Sequence, residues 1–368
     1  MATAEKPPRS YGQFKAWYPQ FGFIFDRILR QNCTQQHDIY LYGTEKNVSA
    51  AWDGGGGDYT RYIQPTIECL LDNANEYTKA NLSMAQIMLG LMPTILAFIG
   101  ASSLETSLIA VIGQRPLLAT LLAFGSPPVY LARALEYPDR EGTLTGRGSS
   151  RYRQLWGVSP TAFSRFTVRP LLVALEYLLA AGAIANLVHV KFLLITQAMF
   201  MLTPSFVHWP IAWAASGIGV HIMGALTLRL RARREGTTLH SPEQRASITS
   251  RVYYLVALEF SLLGKQDGVV PVRVRWFDQS ALFLVAAWIH SLCCIAHLIS
   301  SAPLFSQAPS SLVLEMASDS FFATYIASAV VCRAVLSFEL AGLREGYHTD
   351  SEDMAAVEYT VSGKQRGD

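Results

Sequence analysis

Long apolar runs, separated by polar stretches, dominate the middle and end of this chain. The first begins at Met84 and reads MAQIMLGLMPTILAFIG to Gly100. The second, PLLATLLAFGSPPVYLA (116–132), is short and interrupted by Gly125, Pro127 and Pro128. A third spans Leu171 to Val190. After Lys191 comes an uncharged run from Phe192 to Leu228, too long for one straight helix and broken by Pro204 and Pro210 in TPSFVHWP. The last two runs are Ala281–Ser301 and Phe321–Leu340. Runs of this length and apolarity predict an all-α, polytopic membrane helix bundle with six to seven hydrophobic spans. The second and fourth runs are the ambiguous members. They either span obliquely or enter and return.

The predicted organisation follows. Residues 1–82 form a small N-terminal water-facing segment, and 83–228 hold spans one to five with an Arg-rich loop at 133–169. Residues 229–278 form a polar loop, 279–342 the last two spans, and 343–368 a polar tail. The stretch AWYPQFGFIF (16–25) is too short and interrupted for a signal-peptide core.

Composition sharpens this picture. Of 368 residues, 51% are hydrophobic and 16% charged, below the roughly 25% charged typical of soluble domains. The net charge of +2 and the lack of a basic block interleaved with aromatics argue against nucleic-acid partners. Segment 133–169 carries seven Arg, 229–275 carries eight Arg and one Lys, and 303–319 carries neither. The positive-inside tendency then predicts a cytoplasmic 229–275 and C-terminal tail. Three of the six Asn head sequons, at Asn32, Asn47 and Asn81, all before the first span. With Cys33 and Cys69 in the same segment, they predict a lumenal or extracellular N-terminus, glycosylated at Asn32 and Asn47 and closed by one disulfide. Seven full crossings leave the Arg-rich 133–169 outside. Five crossings with two re-entrant segments put it inside.

Ionisable residues within apolar spans are the candidates for chemistry, because each is costly there unless paired or wet. Arg333 lies mid-span in FFATYIASAVVCRAVLSFELAG and calls for an internal partner. Glu176 on the third span is the first candidate and Glu339 the second. Either residue serves as a ligand contact or as half of a structural ion pair. Glu176, preceded by Arg169, is also the weak catalytic candidate, as a proton donor. The run His290-Ser-Leu-Cys-Cys-Ile-Ala-His297 puts His290, Cys294 (or Cys293) and His297 on one helical face. With His221 from another span they form a weak candidate metal set, against the commoner role of such residues as interhelical packing and hydrogen bonding. Gly54–Gly57 lacks the strand and the Lys-Ser/Thr of a phosphate loop. No catalytic motif, no repeat and no cofactor signature is apparent.

The runs at 79–130 and LEYPD (135–139), with NCTQQHDIYLYG (32–43) and IECLLDNANEY (67–77) upstream, resemble a family of uncharacterised filamentous-fungal multi-pass integral membrane proteins. The resemblance covers roughly the first 140 residues. It implies a fungal source and leaves open membership of a specialised-metabolism gene cluster; it assigns no residue a role.

Three functions fit these features. The first is a non-enzymatic multi-pass membrane protein, a receptor-like or transport-like accessory in the plasma membrane or an endomembrane. Its expected partners are membrane lipids, a lipophilic small molecule and a cytosolic protein docking at 229–278. The second is a membrane-embedded enzyme acting on a lipophilic substrate, such as a terpene cyclase, with Glu176 as acid and Trp209, Trp213 and Trp288 stabilising cations. The third is an intramembrane metal or redox protein built on the His/Cys face.

Overall fold

The computed structural model describes residues 22–42, 64–127, 168–197, 209–234, 256–261, 274–306 and 321–346. Asn47, Gly54–Gly57, Pro204, the 133–167 portion of the Arg-rich loop, residues 307–319 and the tail beyond Gly346 lie outside the described residues. So does the Trp209 side chain.

The described chain is mostly helical. Its helices are α1 (Gly22–Gln31), α2 (Thr34–Tyr42), α3 (Gln64–Asn73), α4 (Glu76–Ile99), α5 (Ser103–Val111), α6 (Pro116–Gly125), α7 (Val168–Gln197), α8 (Trp209–Arg229), α9 (Ala281–Ser306) and α10 (Phe321–Gly346). Between α8 and α9, β1 (Ala232–Arg234) pairs antiparallel with β2 (Val274–Trp276), with Arg233 opposite Arg275.

Among the described residues, four segments are long and apolar enough to cross a membrane: Arg169–Phe192, Pro210–Arg229, Ala281–Ser301 and Ala323–Arg344. Their exposed faces make the same point. Leu171, Leu175 and Leu178 on α7, and Leu282, Val285, Ile289 and Leu292 on α9, stand about half or more exposed in helical register. Such stripes suit a hydrocarbon surround and not water. The first two expected spans are shorter as apolar elements. The first becomes the second half of α4, apolar over Gly90–Ile99. The second ends as a helix at Gly125 and is ten residues long, a rise of about 15 Å against a hydrocarbon core of about 30 Å. The long fourth run becomes the end of α7 and the whole of α8, whose second residue is Pro210. There the missing N–H costs nothing.

The chain divides into two compact units. Unit 1 comprises residues 1–99, 183–217 and 296–329. Its N-terminal part packs Phe25, Ile28 and Leu29 of α1 (the i, i+3, i+4 face) with Leu70 of α3, Ala74 just after that helix and Leu82 of α4. Cys33 and Cys69 are bonded across this cluster, with Cα atoms 5.9 Å apart. Asn75 caps α4 by accepting from the Thr78 amide at 2.7 Å. Further along the chain, Asn186 of α7 donates to the Thr324 carbonyl and the Ser328 hydroxyl of α10, both at 2.7 Å. This is the amide bridging expected between apolar helices. Unit 2 comprises residues 100–182, 218–295 and 330–368. It holds α5, α6, the strand pair and the ionic centre.

Candidate functional site: a buried arginine shared by two carboxylates

The centre begins with the local sequence Gly113-Gln114-Arg115-Pro116. Gln114 takes a left-handed conformation (φ 57°), and Arg115 is pushed to φ −119°, ψ 65° ahead of Pro116. A residue before proline is driven out of the helical region, so α5 must stop and α6 must start afresh at the proline. The sharp turn places Arg115 at the entry to α6, where its side chain is completely buried.

Three separate segments converge on that guanidinium. Arg115 Nη1 lies 2.9 Å from Glu176 Oε2 of α7 and 2.8 Å from Glu339 Oε2 of α10. Its Nε donates to the backbone carbonyl of Glu259 at 2.8 Å. The Glu259 carboxylate caps α6, accepting from the amides of Leu117 at 3.1 Å and Leu118 at 2.9 Å. A negative group belongs at a helix N-terminus. Tyr177, next to Glu176, donates its hydroxyl to Glu259 at 2.6 Å, and its ring lies 5.7 Å from the Arg115 guanidinium. One cation is thus shared by two carboxylates. Arg115 Nη2, Glu176 Oε1 and Glu339 Oε1 have no hydrogen-bond partner among the described residues.

The expected partner of Arg333 is corrected by this geometry. Arg333 pairs with Glu105 of α5, neither with Glu176 nor with Glu339, because both of those are taken up by Arg115. Glu105 is held in place by a capping box with Ser102. Ser102 Oγ donates to its carboxylate at 2.8 Å and accepts from its amide at 3.3 Å.

The candidate metal residues are not gathered. Among the described residues no group of three or more His, Cys, Asp or Glu is placed to hold a metal ion. His290 and Cys294 do meet, with Nε2 and Sγ 3.5 Å apart. His221 instead bonds through Nδ1 to Thr106 Oγ1 at 2.7 Å. His297 bonds to Ser216 Oγ at 3.0 Å and stacks on Trp213, ring centroids 4.7 Å apart. These are the packing and hydrogen-bonding roles that small polar side chains play between apolar helices. Of the expected cation-stabilising aromatics, Trp213 is committed to that stack, and Trp288 is 58% exposed on the outer face of α9.

The residues that sequence reasoning passed over are Arg115, Glu105, Glu259 and Lys191. The Ser102-x-x-Glu105 pattern is a capping-box signature and marks where α5 starts. The dipeptide Arg115-Pro116 marks the turn. Lys191 is buried in unit 1, its Nζ 4.4 Å from the ring centre of Phe305, 4.9 Å from Trp213 and 5.1 Å from Tyr325. No local pattern announces that cage.

Comparisons with protein-family profiles, with curated proteins and with solved structures find no match to this chain.

Proposed function

We propose that the chain is a non-enzymatic, receptor-like or transport-like multi-pass membrane protein in which the Arg115 centre is the element that changes state. The observation that carries this reading is the sharing of one buried guanidinium by Glu176 and Glu339 from two different long helices. We read two carboxylates on one cation as a contact that can lean toward either helix. A ligand that favours either pairing moves one helix relative to the other, the arrangement that gates and relays use.

The resemblance to fungal membrane proteins adds a role beside specialised metabolism, with a lipophilic small molecule as the ligand. The sequons and the disulfide support a lumenal or extracellular N-terminus, and the arginine distribution supports a cytoplasmic C-terminus.

The test incubates the protein in lipid nanodiscs with a lipid extract of the producing cells, then reads native mass spectra and chromatographs the extract. A retained ligand recovered unchanged, with retention altered in Glu339→Gln, supports the proposal. A new product that appears with wild type and disappears with Glu176→Gln replaces it with the enzyme reading.

A further inference from the structure

A groove runs along unit 2 between α8 on one side and α5 and α6 on the other. It encloses about 180 Å³, somewhat more than the roughly 150 Å³ of an engineered apolar cavity that takes up benzene. Small side chains leave the space open: Ala110 of α5, Ala119 and Ala123 of α6, and Ala225 of α8. The α8 wall extends from Ile218 to Arg229, a rise of about 16 Å, so the space is long and narrow. Ile222 and Leu226 on its rim are exposed and belong to the apolar segment Pro210–Arg229. The groove therefore opens sideways, toward the hydrocarbon that such a face requires. The hydroxyls along it already have partners. Thr106 Oγ1 lies 2.7 Å from His221 Nδ1 on the buried floor, and Thr120 donates to the Pro116 carbonyl at 2.7 Å. At one end stands Arg229, exposed and at the last residue of the apolar segment, the level at which a bilayer gives way to water.

We infer that this groove seats a long-chain fatty acid, its alkyl chain along α8 and its carboxylate on Arg229. A long, narrow apolar slot takes a single chain and excludes a fused ring system or the paired chains of a phospholipid. Bilayer tails are as apolar as the groove, so the chain sets the shape that fits and the head sets the preference. The guanidinium fork matches a carboxylate bidentately, and with five N–H donors it can do so while also holding another group. Occupancy bears on α6. Pro116 lines the groove and directly follows Arg115, and the next two amides are held by the Glu259 carboxylate. A chain lodged against this wall presses on the helix whose first turn carries the Arg115 centre. The fatty acid is then the lipophilic ligand of the role proposed above, on which this assignment rests.

The test uses the full chain in phosphatidylcholine nanodiscs with a palmitic acid analogue carrying a diazirine on its chain. After photolysis, the labelled peptides are mapped by mass spectrometry. Saturable labels are expected on the facing walls of α6 and α8. Palmitic acid should displace them, and hexadecanol, which lacks the charge, should do so about tenfold or more less well. Ala225→Phe fills the slot from a half-buried wall position and should abolish labelling. Arg229→Gln changes only an exposed side chain, remains informative if Ala225→Phe fails to fold, and should weaken labelling by about tenfold or more. No labelling of these walls, labelling undiminished in Arg229→Gln, or equal displacement by hexadecanol overturns the inference. Equal displacement by phosphatidylglycerol also overturns it and assigns the groove to a bilayer lipid. A ligand that shifts the Arg115 pairing must in turn bind differently when that pairing is altered. Groove labelling that Glu339→Gln leaves unchanged therefore upholds the fatty acid site and removes the Arg115 reading instead.

Discussion

Arg115 does three jobs with one side chain. Its Nε holds the Glu259 carbonyl, and its Nη1 faces both Glu176 and Glu339. Removing a buried partner leaves the others charged and dry, so Arg115→Gln should lower stability by about 3–5 kcal/mol. Adding Glu339→Gln to Arg115→Gln should restore part of that loss, because the second substitution removes a carboxylate that no longer has a cation. Arg115→Lys should not rescue, since a point charge cannot reproduce the fork that serves a carbonyl and two carboxylates together. Thermal unfolding of the three variants in nanodiscs checks this. A single Arg115→Gln that melts like wild type would remove the centre from the account of stability. Lys191 gives the opposite expectation. Surrounded by Phe305, Trp213 and Tyr325, its long stem fills space as much as its charge interacts. Lys191→Met should therefore stay within about 1 kcal/mol of wild type, whereas Lys191→Ala should lose about 3 kcal/mol through the cavity it opens. Equal losses in the two variants would mean that the ammonium and not the stem matters.

At the scale of elements, the apolar pattern revealed the long helices but not their partners. Leu171–Val190 and Ala281–Ser301 predict α7 and α9 because an apolar run of that length has few alternatives as a folded element. Arg115 escaped notice because its neighbours in sequence say only that a helix restarts at Pro116. Its partners are 61 and 224 residues further along the chain, a separation that no local period reports. Arg333 drew attention for the right physical reason, an ionisable group deep in an apolar run, yet its partner Glu105 sits in a nine-residue helix that the hydropathy pattern does not separate from its surroundings. The N-terminal helices carry two predictions of their own. The Cys33–Cys69 bond closes a long loop over the α1–α3 cluster, so Cys69→Ser should cost this part about 2–4 kcal/mol, read as faster amide exchange in α1, α2 and α3 with α8 and α9 unchanged. Burial lowers the His37 imidazole below its ordinary value, against the opposing pull of Asp38 and Asp26. A histidine kept neutral in the fold contributes its stability above the unfolded value. That stability is lost as pH falls below about 6.5, because the unfolded chain then takes up the proton first. The amide protection factors in α2, exchange corrected for its intrinsic pH dependence, should therefore fall on acidification in wild type and change less in His37→Gln.

For the whole molecule, counting crossings reconciles signals that conflict in the sequence. Four crossings, an even number, would return the chain to the side on which it began. A lumenal N-terminus with a cytoplasmic C-terminus needs an odd number, so one more element must cross. Helix α4 has 24 residues, a rise of about 36 Å, enough to cross a hydrocarbon core of about 30 Å even though only its second half is strongly apolar. Helix α6, at ten residues, is not long enough and fits a re-entrant segment. The topology we propose takes five crossings, by α4, α7, α8, α9 and α10; it would put the Arg-rich 133–167 stretch and 229–275 in the cytosol and the Lys- and Arg-free 307–319 stretch outside, in keeping with the positive-inside tendency. The prediction is direct. A new Asn-X-Thr sequon inserted between residues 307 and 319 should be glycosylated, and sequons inserted at 143–149 or 236–246 should not be. The native sequon at Asn32, exposed on the α1–α3 cluster, should shift in mass on glycosidase treatment. Modification at 143–149 together with Asn32 would require α6 and the chain after it to complete a further crossing. Modification at 236–246 without Asn32 would invert the whole arrangement.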